Sequence, residues 1–215
     1  YAFCGCDSIK SIVIPNSVAS IGDTAFGNCN SLTSVTIGNG ITSIGKDAFK
    51  NCDFLTSIYI TDIVKWCTIA FYNSFSNPLC YAPNLYLNGE LITELVIPDG
   101  VVSIGNNAFY NCTSLKAIII PASVTKIGYG AFSNCIFLTS ITVANENPMY
   151  YSVGNCIIER ESKALIQGCN SSIIPNDITS IGDYAFYNCD SLTNIIIPNS
   201  VTSIGNDAFY DCDSL

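Results

Sequence analysis

Apolar and polar positions alternate along this chain in a pattern that repeats. In Leu115 to Pro121, Leu115, Ile118 and Ile120 take inward positions while Ala117 and Ile119 alternate outward, which is the spacing of a short strand. Pro121 stands at its end, where it removes no ladder hydrogen bond. A second extended piece, Val124 to Ile127, follows, and Gly128 permits a turn that a side chain would hinder. Ala131 to Cys135 then reads as one short helical or 3₁₀ turn, with Phe132 and Cys135 three apart on one face.

The same order returns along the whole chain. Ala-Phe places phenylalanine at Phe3, Phe26, Phe49, Phe71, Phe109, Phe132, Phe186 and Phe209. Three residues after most of these stands a cysteine: Cys6, Cys29, Cys52, Cys112, Cys135, Cys189 and Cys212. Ile-Gly precedes at Ile21, Ile44, Ile104, Ile127, Ile181 and Ile204. The numbering advances by the same step, 23, from Ile21 to Ile44, from Ile104 to Ile127 and from Ile181 to Ile204. The unit is Leu-Thr-Ser-Ile-x-Ile-Pro-x-x-Val-Thr-Ser-Ile-Gly-x-x-Ala-Phe-x-x-Cys-x-x. One unit is too small to bury these residues alone. Stacked units build a continuous core with a phenylalanine ladder and a cysteine ladder, which predicts a solenoid.

Two intervals break the period. Around Trp66 the unit is degenerate: Trp66 is read at the isoleucine position, Cys67 at the glycine, Ala70-Phe71 at Ala-Phe and Ser74 at the cysteine. Leu85 to Leu91 follows, with Asn88-Gly89 between apolar runs, the sequence of a β-hairpin with a two-residue turn. The second interval contains Cys156 to Glu159 and Ala164 to Gln167 around Arg160 to Lys163, again a hairpin pattern. The expected organisation is a single solenoid segment over residues 1–215 with insertions near 75–94 and 144–174. Both ends of the sequence fall inside the repeat, so it reads as a segment of a longer protein, without a signal peptide.

These units, best seen from Ile197 to Cys212, resemble the BspA-like leucine-rich-repeat family of surface proteins of bacteria and some parasitic protists. The resemblance runs along essentially all of the chain and departs from the pattern at Trp66 and at the two insertions. It implies a β-rich α/β solenoid, a right-handed leucine-rich-repeat superhelix of 23-residue repeats with short helical turns. It also implies a cell-surface or secreted location and a protein ligand, with host extracellular-matrix proteins as the candidates. It names no ligand, because the matching residues build the scaffold.

Composition changes this picture by exclusion. The chain is 49% hydrophobic and 12% charged, yet its densest apolar stretch, Ala117 to Ile120, stops at Pro121, far short of the ~20 residues of a transmembrane segment. Net charge is −9, with 17 acids against eight bases and Arg160 the only arginine, so the basic stripe that nucleic-acid binding needs is missing. With no histidine in the chain, the commonest general base and metal ligand is absent.

The candidate chemistry divides between scaffold and site. Seven of the twelve cysteines share one repeat phase, which argues for buried free thiols rather than a disulfide framework. Cys4-Gly5-Cys6 lacks the partner pair that zinc needs. Asp23, Asp47, Asp183 and Asp207, between Ile-Gly and Ala-Phe, read as a calcium row or as acids capping the short helical turn; the equivalents Asn106, Asn107, Tyr129 and Gly130 favour capping. Glu159 with Glu161, and Glu90 with Glu94, have the residue types of a glycosidase acid and base, but nothing in the sequence places them in a pocket. No cofactor and no catalytic residue is expected.

The outward strand positions are the better candidates for a ligand. In phase they run Val13, Thr36, Tyr59, Val96, Ile119, Thr142 and Ile196, with Ser34, Glu94, Ala117 and Asn194 alongside. Five of the seven are large and apolar or aromatic, and a contiguous exposed apolar strip marks interaction surfaces, although β-branched residues also favour strands for their own sake. Tyr110, Tyr187 and Tyr210, each following a ladder phenylalanine, read equally as packing or as contact residues. The function expected is a non-catalytic protein-binding and adhesion module. The alternatives are a structural stalk displaying another domain and an enzyme with its site in the insertions.

Overall fold

The structure, a computed structural model describing all residues 1–215, is a β-solenoid of about eight turns. Each regular coil lays down one three- or four-residue strand and one two-residue strand. Equivalent strands of successive coils pair in parallel: Ser11–Val13 on Ser34–Thr36 on Ser57–Ile60, and Ser20–Ile21 on Ser43–Ile44. Ser11 faces Ser34 and Ser34 faces Ser57, so the repeat spacing is the register of the sheet. Threonines seal the seams. The hydroxyls of Thr33, Thr56 and Thr139 each donate to the carbonyl one coil back, Lys10, Thr33 and Lys116 respectively.

The segment from Ala-Phe to Cys closes each coil. Its cysteine N–H donates to the phenylalanine carbonyl three residues earlier, as from Cys52 to Phe49 and from Cys112 to Phe109. This single turn never extends into a helix, because the asparagine between them is left-handed, with φ of 60° at both Asn51 and Asn111. The glycine after isoleucine serves contact rather than turning. A Cβ on Gly128 would stand 2.5 Å from the Asn106 backbone nitrogen of the preceding coil.

Burial follows the repeat. Leu115, Ile118 and Ile120 are buried while Ala117 and Ile119 are half-exposed, as the alternation predicts. The phenylalanines stack ring on ring, Phe3 on Phe26 and Phe26 on Phe49 at 5.2 Å, Phe109 on Phe132 at 5.6 Å and Phe186 on Phe209 at 5.0 Å. Such pairs contribute about 0.5–1.5 kcal/mol beyond their buried area. The ladder is in three runs because two coils are irregular.

In the first irregular coil the structure corrects the assignment of Trp66, Cys67, Phe71 and Ser74. Ala70 pairs with Ser43 and Phe71 with Ile44, so Ala70-Phe71 occupies the Ser-Ile strand and not the Ala-Phe turn. The interval from Ile44 to Phe71 is longer than the repeat, and the extra length is the helix Ile63–Cys67, capped by the Asp62 carboxylate on the N–H groups of Val64 and Lys65. Trp66 is buried within that helix, and its indole N–H donates to Ala108 O at 2.8 Å. The degenerate unit keeps the core filled with tryptophan where the neighbouring coils use the repeat residues.

Asn84–Leu87 then continues the first sheet and turns through Asn88 and Gly89, both with positive φ, into the antiparallel Glu90–Leu91. A separate parallel sheet begins at Glu94–Val96 and runs through Ala117–Ile120 to Ser140–Val143. The second insertion is an antiparallel meander of Tyr150–Val153, Cys156–Glu159 and Ala164–Gln167. Its last strand pairs in parallel with Ser180–Ile181, so the long-strand sheet is not resumed and Thr193 to Pro198 forms no strand. The core divides at the same place, into clusters of 45 and 11 buried residues.

Candidate functional site

The strand face carries most of the outward row. Val13, Thr36 and Tyr59 follow one another across the first sheet, and Val96, Ile119 and Thr142 across the second. Val13 is 69% and Val96 56% exposed, Thr142 is exposed, and Thr36, Tyr59 and Ile119 are half-buried by their flanking neighbours. Ile196 is also exposed, but it lies in the strandless segment and is not a rung of either sheet. Tyr86 does belong to the row. It pairs with Tyr59, and the two rings stack at 4.8 Å. It was hidden because the interval from Tyr59 to Tyr86 is longer than one repeat. The face therefore presents an aromatic pair flanked by β-branched side chains, with few charges.

The cysteines form part of the scaffold. All twelve are free, and in four coils the thiol donates to the phenylalanine carbonyl of the coil before: Cys29 to Phe3, Cys52 to Phe26, Cys135 to Phe109 and Cys212 to Phe186, at 3.0–3.3 Å. Burial pushes the thiols of Cys52, Cys67 and Cys156 up to about 12, so they are neutral and unreactive at physiological pH.

The four aspartates are two sets, not one row. Asp23 and Asp183 cap, but across the seam: Asp23 Oδ1 accepts from Lys46 N–H at 2.7 Å and Asp183 Oδ1 from Asn206 N–H at 2.6 Å, with Asn106 doing the same for Tyr129. Asp47 and Asp207 stand one position later with φ of 56° and 50°. Capping thus acts on the next coil rather than on the residue's own turn. No three cysteine, aspartate or glutamate side chains gather as a metal site. Glu159 accepts from the Ser162 hydroxyl, and Glu90, Glu94 and Glu161 lie exposed on the surface.

Two features escaped the reading of the sequence. An asparagine two residues after the ladder phenylalanine forms its own ladder: Asn51 Nδ2 donates to Asn28 Oδ1, Asn134 Nδ2 to Asn111 Oδ1 and Asn188 Nδ2 to Asn134 Oδ1, at 2.6–2.9 Å. Its signal was present in the sequence as Asn28, Asn51, Asn111, Asn134 and Asn188, inside what the consensus left as unspecified positions. The second feature is a cleft of about 510 Å3 at the edge of the Phe turns, between the irregular coil at Phe71–Phe75 and the coils of Tyr110, Tyr129 and Tyr184. Tyr129 meets Tyr184 edge-on at 4.9 Å, Tyr184 lies 5.3 Å from Tyr187, and Tyr187 stacks on Tyr210 at 5.1 Å. No periodic signal predicts it, because one wall is the coil that breaks the period.

The model of the BspA-type leucine-rich-repeat region matches in six copies over residues 1–82, 81–155 and 158–215. The chain belongs to the BspA-type leucine-rich-repeat family. No curated protein matches it. Among solved structures it is similar to a leucine-rich-repeat protein from Eubacterium ventriosum, at 25% identity and a TM-score of 0.60 over 95% of this chain and 52% of that one. It is also similar to a leucine-rich cell surface protein from Faecalibacterium prausnitzii, at 28% identity and a TM-score of 0.51, covering 96% of this chain and 68% of the other. The chain thus spans about half the length of the Eubacterium protein. In this chain most of the ladder phenylalanines, repeat-phase cysteines and inward isoleucines are buried scaffold, whereas the strand-face row is at least partly exposed. No helix is long and apolar enough to cross a membrane.

Proposed function

We propose that this leucine-rich-repeat chain is a non-catalytic protein-binding module of a cell-surface protein, and that it engages its ligand with the strand face. The observation that carries the reading is the outward row: exposed Val13 and Val96, with the stacked Tyr59–Tyr86 pair between them, on two parallel sheets. Solvent-facing apolar side chains on neighbouring strands favour association with another apolar surface. Tyrosine is frequent among residues that dominate binding energy, because it buries a large rigid area at little entropic cost. The Faecalibacterium relative is described as a cell surface protein, which supports the same location for this chain. A host extracellular-matrix protein is the partner to be sought first.

The experiment is capture from solubilised extracellular matrix, followed by binding measurements with the purified ligand. Tyr59→Asp combined with Ile119→Asp abolishes binding while the melting transition is kept. If that pair disturbs the sheet, Val13→Asp with Val96→Asp places the charges at the most exposed rungs. Normal binding by a folded double variant moves the site off the strand face. With few charges on the row, binding depends only weakly on salt.

A further inference from the structure

The tyrosine-lined cleft lies at the Phe turns, away from the strand face, and its walls have a distinct chemistry. None of the residues lining it is charged. Its rim offers aromatic surface, since Tyr72 is 71% and Tyr129 51% exposed. Between the rings stand Ser74, Asn106 and Asn107. The Asn106 side-chain carbonyl holds Tyr129 N–H, whereas the Asn106 Nδ2, the Asn107 side chain and the Ser74 hydroxyl make no hydrogen bond within the chain. Asn107 is held at φ 55°, in the left-handed conformation that turns the backbone at the cleft. The volume, about 510 Å3, falls inside the ~300–1,000 Å3 of small-ligand sites.

From this combination we infer that the cleft binds a neutral oligosaccharide, using tyrosine faces and free asparagine amides. A pyranose ring presents an apolar face of C–H groups, which carries partial positive charge and settles on the negative face of an aromatic ring. Its edge presents hydroxyls that both donate and accept, and a primary amide and a serine hydroxyl also do both. An anionic ligand finds no lysine or arginine on the walls, in a chain of net charge −9. Lys50 does not line the cleft; its ammonium lies over the ring of Phe75, one of the lining residues, at 5.8 Å. A purely apolar ligand leaves the amides unpaired, at the cost of desolvating them. The site is independent of the strand face, because no residue of the outward row lines it.

Calorimetric titration with maltotetraose, cellotetraose, mannotetraose and N-acetylated chitotetraose tests the inference. At least one binds with a Kd below about 1 mM. Tyr129→Ala weakens that binding about tenfold through the lost stacking surface. Asn107→Gly keeps the positive φ, removes the amide and weakens it about fivefold. Tyr72→Ala with Tyr129→Ala abolishes it; both side chains are exposed, so folding is retained, and Asn107→Gly serves as the reading if it is not. Tyr59→Asp with Ile119→Asp leaves saccharide binding unchanged, so failure of the strand-face proposal and failure of this one are told apart. Absence of heat with all four sugars overturns the inference. So does binding that survives loss of both tyrosines, or a cleft that takes choline or a proline-rich peptide in place of the sugars.

Discussion

Removing one rung of the phenylalanine ladder tests how the core is held together. Phe109 is fully buried, its ring lies 5.6 Å from Phe132 with the planes 5° apart, and its carbonyl accepts the Cys135 thiol. On the other side the adjoining Ala108 carbonyl is tied to the Trp66 indole, so the walls of the void left by Phe109→Ala are fixed from both directions. Phenylalanine-to-alanine changes in a core cost about 3–5 kcal/mol, and the figure rises where the surroundings do not collapse. The lost stacking lies within that sum, at about 0.5–1.5 kcal/mol. The expected destabilisation is therefore about 4 kcal/mol. Phe3→Ala, at a ring that is 41% exposed and has one stacked neighbour, costs less, and Lys126→Ala on the surface costs under ~0.5 kcal/mol. Urea unfolding followed by the fluorescence of the single tryptophan supplies the comparison. Midpoints that coincide for Phe109→Ala and Lys126→Ala refute the ladder as the source of stability.

The remaining predictions concern other parts of the coil. Stability falls as pH rises above about 9. The buried thiols stay protonated in the folded chain up to about 12, while the unfolded chain releases those protons from about 9, so each such cysteine costs up to ~1.4 kcal/mol per pH unit in that window; melting temperatures between pH 7 and pH 11 that do not fall contradict this. Asn134→Ala, in the middle of the amide chain from Asn111 to Asn188 with φ of 62°, destabilises by about 2–3 kcal/mol, and Asn134→Gly by about half as much because only the hydrogen bonds are lost; equal losses remove the conformational part of the argument. Trp66 emission is blue-shifted in the native state and moves to the red on unfolding, since the indole is buried and hydrogen-bonded; a native spectrum like that of exposed tryptophan places Trp66 outside the core.

What the sequence shows of this fold is set by the strictness of the repeat. Where equivalent positions recur at the regular period, as from Ser11 to Ser34 to Ser57, burial, strand and turn are readable by counting, because parallel register makes each coil the template of the next. Where length changes, counting misleads. Ala70-Phe71 spells the turn but lies in the strand, because the helix at Ile63–Cys67 adds residues ahead of it, and pairing with Ser43-Ile44 decides its place. The same kind of added length hid Tyr86 from the strand-face row. Ile196 shows the converse: its phase is right, but the meander of the second insertion has already diverted the pairing to the short strands. The asparagine ladder was visible and unread, since an amide that both donates and accepts is the side chain that can chain from coil to coil while tolerating positive φ. The tyrosine cleft was not readable, because it joins residues from coils whose separation in sequence is irregular.

Hydroxyl-radical footprinting of the complex between this chain and the matrix protein it captures tests the central claim most directly, because the label reads exposed side chains one at a time. The strand-face account predicts that Val13, Tyr59, Tyr86, Val96 and Ile119 become protected on binding, while Tyr72 and Tyr129 at the cleft and Tyr210 beside the last ladder phenylalanine keep the reactivity of the free chain. An unchanged strand row, with protection instead at Tyr151 and Ile173 of the second insertion, contradicts it.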